Sequence, residues 1–268
     1  MQTVLNKLYT GDYPQLVNDI LKTYDEEGFC VINFLYFSNI VAQKLFYESK
    51  EQTEKQREYK KILLKADYLL PDGIAVQIFY YLATFFHRIT SPRPRLCNMN
   101  GTDFTPYLLE EIKKKYGNQK IALLLYGAPP KGIEKAANYI SRKGFNVTYY
   151  QDGYREFERE AAMESLEDYQ DTINILLVGR STPKIPLQEL RTSRNYQKIK
   201  KNNLVVMNVG GLFDRWSGDQ KRSPKLVRKI KLERLWRFIS QPKRNFKKVM
   251  NSLMVFPYIF HYLVLKKT

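Results

Sequence analysis

The sequence predicts an α/β fold, in which helices cover both faces of a mostly parallel sheet and a basic helical appendage follows. Three observations predict it. Continuous apolar runs alternate with helical segments, which is typical of parallel strands that are buried on both faces. Most of these runs end in a turn that contains glycine or proline. The last fifth of the 268 residues is much more basic than the rest.

The first half of the chain predicts one strand and a series of helices. The segment EGFCVINFLYF contains a buried strand at about residues 29–35, which runs into a helix. Residues 51–70 are expected to form a polar helix that becomes apolar before PDGIAV, and GIAVQIFYYLATFFH a mostly buried helix. In NGTDFTPYLLEEIKKKYGN, Asp103 or Thr105 is the expected N-cap, and Gly117 ends the helix.

The second half predicts four more strands in alternation with helices. Its apolar runs are KIALLLYG, which ends at Gly127, and then FNVTYY, INILLVG and NLVVMNV. The helix KGIEKAANYISRKG separates the first two and closes at Gly144. Ligands of parallel sheets bind beyond the carboxyl ends of the strands. The loops that we expect at this edge are PDGIAV, YGAPPKG, VGRSTPK and VGGLFD.

Three of these loops predict a nucleotide site. YGAPPKG lets backbone N–H groups and a helix N-terminus approach a phosphate, but it lacks the Gly-x-Gly-x-x-Gly and Walker patterns and is not specific alone. A carboxylate just past a strand binds ribose in dinucleotide sites, and Asp214 has this position, although a helix cap explains it equally well. The predicted nucleotide-binding residues are Gly127, Thr182, Lys184, Gly210, Gly211 and Asp214.

Asp72 stands between two apolar runs in LLPDGIAVQ and is followed at once by glycine. A carboxylate here fits a helix N-cap, which accepts hydrogen bonds from the first N–H groups of the helix. It also fits a general base at the rim of a cleft. Local chemistry alone favours the cap.

The net charge of +17 predicts an anionic partner. Residues 215–268 contain fifteen Lys and Arg against two acids, a difference of +13, so we expect two parts, residues 1–212 and 213–268. The second part projects as a basic amphipathic helix whose apolar stripe includes Leu226, Ile230 and Trp236, which favours an anionic membrane surface. The alternative is a solvated face that packs its stripe on the domain. No nucleic-acid-binding signature accompanies the charge.

Several classes of protein are excluded by composition. Only Cys30 and Cys97 are present, so neither a disulfide framework nor a zinc-site spacing exists, and a reduced cytoplasmic protein is expected. The sequence has no signal-peptide pattern and no apolar run long enough to span a bilayer. It also has no Asp-x-Asp pair, no Cys/His cluster and no Gly-x-Ser-x-Gly elbow, so we predict no metal and no cofactor.

These loops, in this order, resemble the WecG/TagA/CpsF family of bacterial glycosyltransferases. The resemblance covers about residues 29–250 and is strongest in VGGLFDRWSGDQKRSPKLVRKIKLERLWRFISQPKR, then in ADYLLPDGIAV and LLYGAPPKGIEKAA. It implies a Rossmann-like fold and a glycosyl transfer that inverts the anomeric configuration and needs no metal. The donor would be a UDP-sugar and the acceptor a polyprenol-diphosphate-linked sugar, in the assembly of cell-envelope polysaccharide or teichoic acid. Family donors include UDP-N-acetylmannosamine, its uronic acid and UDP-glucuronate. A peripheral location on the cytoplasmic face of the membrane is also implied.

The resemblance implies roles for individual residues. Asp72 becomes the general base, and arginines of the appendage, which here are Arg215, Arg222 and Arg228, complete the active site. Two positions depart from the family: Ile185 stands where its glutamine belongs, with Gln188 or Glu189 as replacements, and Tyr36 aligns with its early asparagine. The predicted substrate-binding residues are Tyr36, Gly73, Asp103 and Gln188. Both departures lie where sugars bind, so neither sugar is specified.

One rival hypothesis belongs to a different class of protein. The chain could be a non-catalytic nucleotide-sugar or nucleic-acid binding protein with the same fold. UDP release that depends on a lipid-linked acceptor distinguishes the enzyme from such a protein. The sequence leaves the oligomeric state open, a homo-oligomer included.

Overall fold

A computed structural model describes residues 2–45, 47, 49–89, 95–169, 171–179, 188–193, 199, 203–219 and 254–261. Eight residues singled out in the sequence lie outside the described residues: Thr182, Lys184, Ile185, Arg222, Leu226, Arg228, Ile230 and Trp236. Most of the basic amphipathic segment lies outside them as well.

Six parallel strands form one sheet, which confirms the predicted Rossmann-like α/β fold. In chain order they are β1 Phe29–Tyr36, β2 Tyr68–Asp72, β3 Ile121–Gly127, β4 Asn146–Gln151, β5 Ile173–Gly179 and β6 Leu204–Met207. Their order across the sheet is β2-β1-β6-β5-β3-β4. The carboxyl ends of all six strands therefore meet at one edge, where the four predicted loops begin.

The helices occupy both faces of the sheet. They are α1 Gln2–Asn6, α2 Tyr13–Glu27, α3 Phe37–Ala42, α4 Glu54–Lys65, α5 Ile74–Phe85, α6 Gly101–Tyr116, α7 Pro130–Ser141, α8 Arg159–Glu164, α9 Gln188–Ser193, α10 Leu212–Trp216 and α11 Val255–Ile259. Side chains of α2, α6, α7 and α10 form one core with alternate residues of the strands. The opposite face has two cores, one around α1, α3 and α5 and one around α8.

Strand β2 corrects the prediction of a helix that continues to residue 70. Helix α4 ends at Lys65, and residues 68–72 pair with β1. Pro71 is tolerated because β2 is an edge strand, and a proline there removes no ladder hydrogen bond. The Pro71 carbonyl, on the open side, accepts a hydrogen bond from the Met99 N–H at 2.9 Å.

Two helices differ in detail from their predictions. Helix α6 ends at Gly117 as expected, but its N-cap is Asn100 rather than Asp103 or Thr105, because the Asn100 side chain accepts from the Asp103 N–H. Helix α5 was predicted to be mostly buried, yet only one of its faces is buried. Its outer face exposes large apolar side chains, among them Ile78, Tyr81 and Phe85.

Helix α10 spans the predicted domain boundary between residues 212 and 213 and belongs to a core of the sheet. Leu212, Phe213 and Trp216 are buried, and the Phe213 ring packs against Gly179 at the end of β5. The Trp216 ring stacks on Tyr139 of α7 with 6.3 Å between centroids. The division at residue 212 stays a prediction, because most of the second part lies outside the described residues.

Helix α6 can approach the end of β6 because its first residue is glycine. A Cβ atom on Gly101 would lie 2.9 Å from the Val209 carbonyl oxygen. We expect Gly101→Ala to lower the free energy of unfolding by about 1–3 kcal/mol, although alanine is the better helix former, because backbone must move to admit the methyl group. Chemical denaturation measures this change.

Gly132→Ala in α7 is the matched control. The nearest atom to a Cβ there is Cδ of the Pro129 ring at 3.3 Å, which needs a smaller adjustment. A Gly101→Ala protein as stable as the wild type would show that this contact does not position α6.

Candidate active site at the carboxyl edge of the sheet

Asp72 and Tyr36 lie side by side at the carboxyl edge, since they are register partners at the ends of β2 and β1. Asp72 is half-buried. The N-cap position of α5 belongs to Gly73, which has no side chain to accept a hydrogen bond. Gly73 has φ of 91°, a conformation that favours glycine. Asp72 therefore does not occupy the capping position that local chemistry favoured.

Asn98 joins this edge to the beginning of α2. Its Oδ1 accepts a hydrogen bond from the Gly73 N–H at 2.7 Å, and its carbonyl accepts one from the Tyr13 hydroxyl at 3.1 Å. The Tyr13 ring packs edge-on against Phe104 of α6, with 5.3 Å between centroids. Sequence analysis missed both Asn98 and Tyr13, because a contact between residues 85 positions apart leaves no local signal.

Two carboxylates act on the Tyr13 hydroxyl. Burial raises the pKa of Tyr13, and the negative charges of Asp103 and Asp72 raise it further. The phenol therefore stays protonated and remains a hydrogen-bond donor at neutral pH.

Asp103 forms an ion pair with Arg215. Arg215 Nη1 donates to Asp103 Oδ1 at 2.9 Å and to the Thr102 carbonyl at 2.8 Å, which attaches α10 to the N-terminus of α6. Asn100 Nδ2 donates to the other Asp103 oxygen at 3.0 Å. The side chains of Arg215 and Asp103 remain 23% and 31% exposed, so the pair is reached by solvent. A predicted catalytic residue and a predicted substrate-binding residue are thus direct partners.

The predicted glycines allow close approach at this edge. Gly210 has φ of 63°, and a Cβ there would lie 2.6 Å from the Tyr36 hydroxyl. Gly211 is the N-cap residue of α10, and Asp214 lies in the first turn of that helix. Gly127, with φ of 140°, pairs with Gly179 where β3 and β5 end. The structure therefore brings every described residue of the predicted site except Gln188 to this edge, where Gly127 and Gly210 are buried and the others are half-buried.

A buried polar cluster lies beneath the site. Asn208, which follows β6, donates to Asn33 of β1 at 2.6 Å, and its carbonyl accepts from Gln188 Nε2 at 2.9 Å. Gln188 is 6% exposed and Glu189 1% exposed. The two candidates for the displaced family glutamine are thus both buried. Asn33 and Asn208 were missed, although an asparagine within an apolar strand run is itself a signal.

Glu189 is a fully buried carboxyl group in this cluster. Burial raises its pKa to about 7, and hydrogen bonds, one of them from Gln188, lower it by less. Among the residues that the structure describes, Glu189 Oε2 has no hydrogen-bond partner, and neither has Asn33 Nδ2. A carboxyl group in this position exchanges its proton near neutral pH, unlike an ordinary glutamate.

Neither a membrane span nor a metal centre is found among the described residues. No helix there is both long and apolar enough to cross a bilayer. In the same part of the chain, His, Cys, Asp and Glu side chains form no group of three that could hold a metal ion. The prediction of a metal-free site stays a prediction.

Comparison with known proteins gives two findings. Residues 12–268 match the family described as "Glycosyl transferase WecG/TagA/CpsF family". A curated relative from Bacillus spizizenii is named N-acetylglucosaminyldiphosphoundecaprenol N-acetyl-beta-D-mannosaminyltransferase. The two sequences are 28% identical over 188 residues, which cover 69% of this chain and 65% of the relative. The chain thus matches slightly less than two thirds of that relative's length.

The raised pKa of Glu189 predicts a specific dependence of stability on pH. The folded state binds this proton more tightly than the unfolded chain, so the stabilisation is complete below pH 4.5 and is lost as pH rises through about 7. We expect Glu189→Gln to remove this loss and to be more stable than the wild type at pH 8, by as much as roughly 3 kcal/mol. Urea denaturation from pH 4.5 to pH 8 measures the difference.

Glu134→Gln, on the exposed face of α7, is the control and should follow the wild-type pH profile. If Glu189→Gln also follows that profile, Glu189 does not hold a proton near neutral pH.

Proposed function

The chain belongs to the WecG/TagA/CpsF family of glycosyltransferases, and we propose that it transfers a sugar from a UDP donor to a sugar carried on a polyprenol diphosphate. The transfer inverts the anomeric configuration and uses no metal ion. The observation that supports this proposal best is the position of Asp72. A half-buried carboxylate ends an edge strand, and it raises the pKa of Tyr13 together with Asp103, the ion-pair partner of Arg215.

Asp72 acts as the general base. It takes the proton of an acceptor hydroxyl as that oxygen attacks the anomeric carbon of the donor. The new C–O bond forms on the face opposite the nucleotide, and the bond to the diphosphate breaks, with its electron pair leaving on UDP. An α-linked donor thus gives a β-linked product. The protonated Tyr13 hydroxyl and the Asn98 amide maintain the shape of the strand end that presents Asp72.

Arg215 stabilises the negative charge of the departing diphosphate. A guanidinium carries five N–H donors in a rigid plane, which suits phosphate oxygens. Since Nη1 already donates to Asp103 and to Thr102, the guanidinium is oriented before substrate binds. Such preorganisation is what makes electrostatic stabilisation of a transition state effective. Arg222 and Arg228 complete the set in this proposal.

The nucleotide binds above the ends of β3, β5 and β6. Gly127, Gly210 and Gly211 permit a phosphate to approach the backbone there, and the N-terminus of α7 follows the first of these turns. Thr182 and Lys184 contact the diphosphate, and Asp214 the ribose. Tyr36, whose hydroxyl lies over Gly210, contacts the sugar between the nucleotide and Asp72.

The name of the relative supports the substrate class. That protein is named for an N-acetylmannosaminyl group and an N-acetylglucosaminyldiphosphoundecaprenol acceptor. We propose the same class for this chain, a lipid-diphosphate-linked amino sugar as acceptor, and UDP-N-acetylmannosamine as the first donor to test. The uronic acid of that sugar and UDP-glucuronate are the next donors.

Asp72→Asn tests the general base directly. Asparagine has nearly the size of aspartate but cannot accept the proton. We expect kcat to fall by about 10²–10⁴-fold while UDP affinity and Tm stay close to wild type. The assay measures UDP release with a lipid-diphosphate-linked N-acetylglucosamine acceptor across a panel of UDP-sugars.

Asp168→Asn, an exposed acid at the other edge of the sheet, is the control and should be fully active. Near-normal turnover of Asp72→Asn would make Asp103 or Glu189 the next candidate base. UDP binding without turnover in the wild type would instead support a binding protein.

Removal of metal ions tests the second part of the proposal. Because Arg215, Arg222 and Arg228 are assigned to the diphosphate charge, EDTA should change kcat by less than about twofold. The comparison uses enzyme dialysed against EDTA, with and without added Mg²⁺ or Mn²⁺. Strict dependence on either ion would contradict the proposal.

A further inference from the structure

Helix α5 begins at the candidate base and has no charged residue along its length. Between Ile74 and Phe85 its only polar side chains, apart from the tyrosine hydroxyls, are Gln77 and Thr84. The inner face, with Phe79 and Tyr80, is buried in the core. A helix that is apolar all round is normally buried on every side, so its outer face requires a partner.

The outer face of α5 joins an apolar surface of α11. Tyr258 and Ile259 pack on the core around α5, and the Phe37 and Tyr258 rings meet with 6.3 Å between centroids. This anchoring leaves Phe256 and Phe260 exposed beside α5. We define the apolar face by six side chains that are each 39% or more exposed: Ile78, Tyr81, Phe85, Phe86, Phe256 and Phe260.

Between Asp72 and Asp103, and from residue 234 to residue 268, the charged residues are all basic. Residues 73–102 contain three arginines and no acid, and residues 234–268 contain eight Lys and Arg and no acid. Arg95 lies over the Tyr81 ring, with 5.5 Å from its Cζ to the ring centroid. Exposed aromatic side chains next to basic segments of the sequence fit the headgroup region of an anionic bilayer. The net charge of +17 opposes contact with a second copy of this chain.

We propose that the apolar face docks into the interface of an anionic phospholipid bilayer. The stripe of Ile78, Tyr81 and Phe85 follows the axis of α5, which is about 18 Å long, and Asp72 stands at the beginning of that helix. When α5 lies along the bilayer, the base is held at headgroup level, where the diphosphate and first sugar of a membrane-embedded acceptor are found. This last step rests on the proposed function, whereas the docking itself does not.

Vesicle binding of the full chain tests the docking. The test variant is Phe85→Ser with Phe86→Ser, and the control is Tyr150→Ser with Tyr154→Ser, which removes two exposed aromatics near β4. With vesicles of phosphatidylcholine and phosphatidylglycerol, we expect the affinity of the test variant to fall by about 10- to 100-fold. The control should stay within about twofold of wild type. Equal Tm values exclude a folding defect.

Each other occupant of the apolar face predicts a different result. Unchanged vesicle binding overturns the proposal. If light scattering shows that the wild type is a dimer and the test variant a monomer, a second copy of the chain covers the face, and the proposal is overturned. If amide hydrogens of α5 are equally protected from exchange with and without vesicles, residues 220–253 cover it, which also overturns the proposal.

Transfer assays separate this inference from the proposed function. The test variant should lose transfer to an acceptor embedded in vesicles but retain it to a short-chain, water-soluble acceptor. Equal loss on both acceptors would contradict the role of docking in acceptor delivery. If the wild type transfers to neither acceptor while the vesicle-binding difference persists, the proposed function fails and the docking surface stands.

Discussion

Strand β6 connects the two halves of the sheet, and the candidate site is built on its end. It pairs with β1 on one side and with β5 on the other, although it has only four residues. The chain beyond it continues both attachments: Asn208 N–H donates to Ile32 and Val209 N–H donates to Val178. Gly101 of α6 packs on Val209, and Gly210 lies under the Tyr36 hydroxyl. A shift of this strand end would therefore displace the acid, the arginine and the glycine turns together.

Polar groups below the site limit how that strand end can pack. The buried polar residues are Asn33, Asn208 and Glu189. Apolar side chains in these positions would leave no buried polar group without a hydrogen bond. Each of the three polar residues must find a partner or a proton, because an unsatisfied buried polar group is expensive. The Asn33–Asn208 hydrogen bond satisfies part of this requirement only when β1 and β6 are in their observed register. The cluster thereby favours one arrangement of the strands over others of similar apolar area.

The distribution of charge is consistent with one orientation of the protein on the bilayer, in which the apolar face contacts the lipid and the candidate site lies close to it. Asp103 partly neutralises Arg215 and fixes its position, while the charged residues from Gly73 to Thr102 are three arginines. In the proposed arrangement the bilayer meets the apolar face, and α5 connects that surface to the catalytic acid. A single helix then determines both the position of the base and its height above the lipid.

The sequence by itself determined five of the six described strands, the edge at which they end and the family, because continuous apolar runs and glycine turns are local signals. It could not identify β2, since a short run that contains proline and follows a helix resembles the end of that helix. It could not choose Asn100 as the cap, because several capping residues stand in a row. Only the tertiary structure decided the partners of Asp103 and Tyr13, which lie far away in the chain. It also decided which face of α5 is exposed, because a helix that is apolar on all sides has no periodicity to show it.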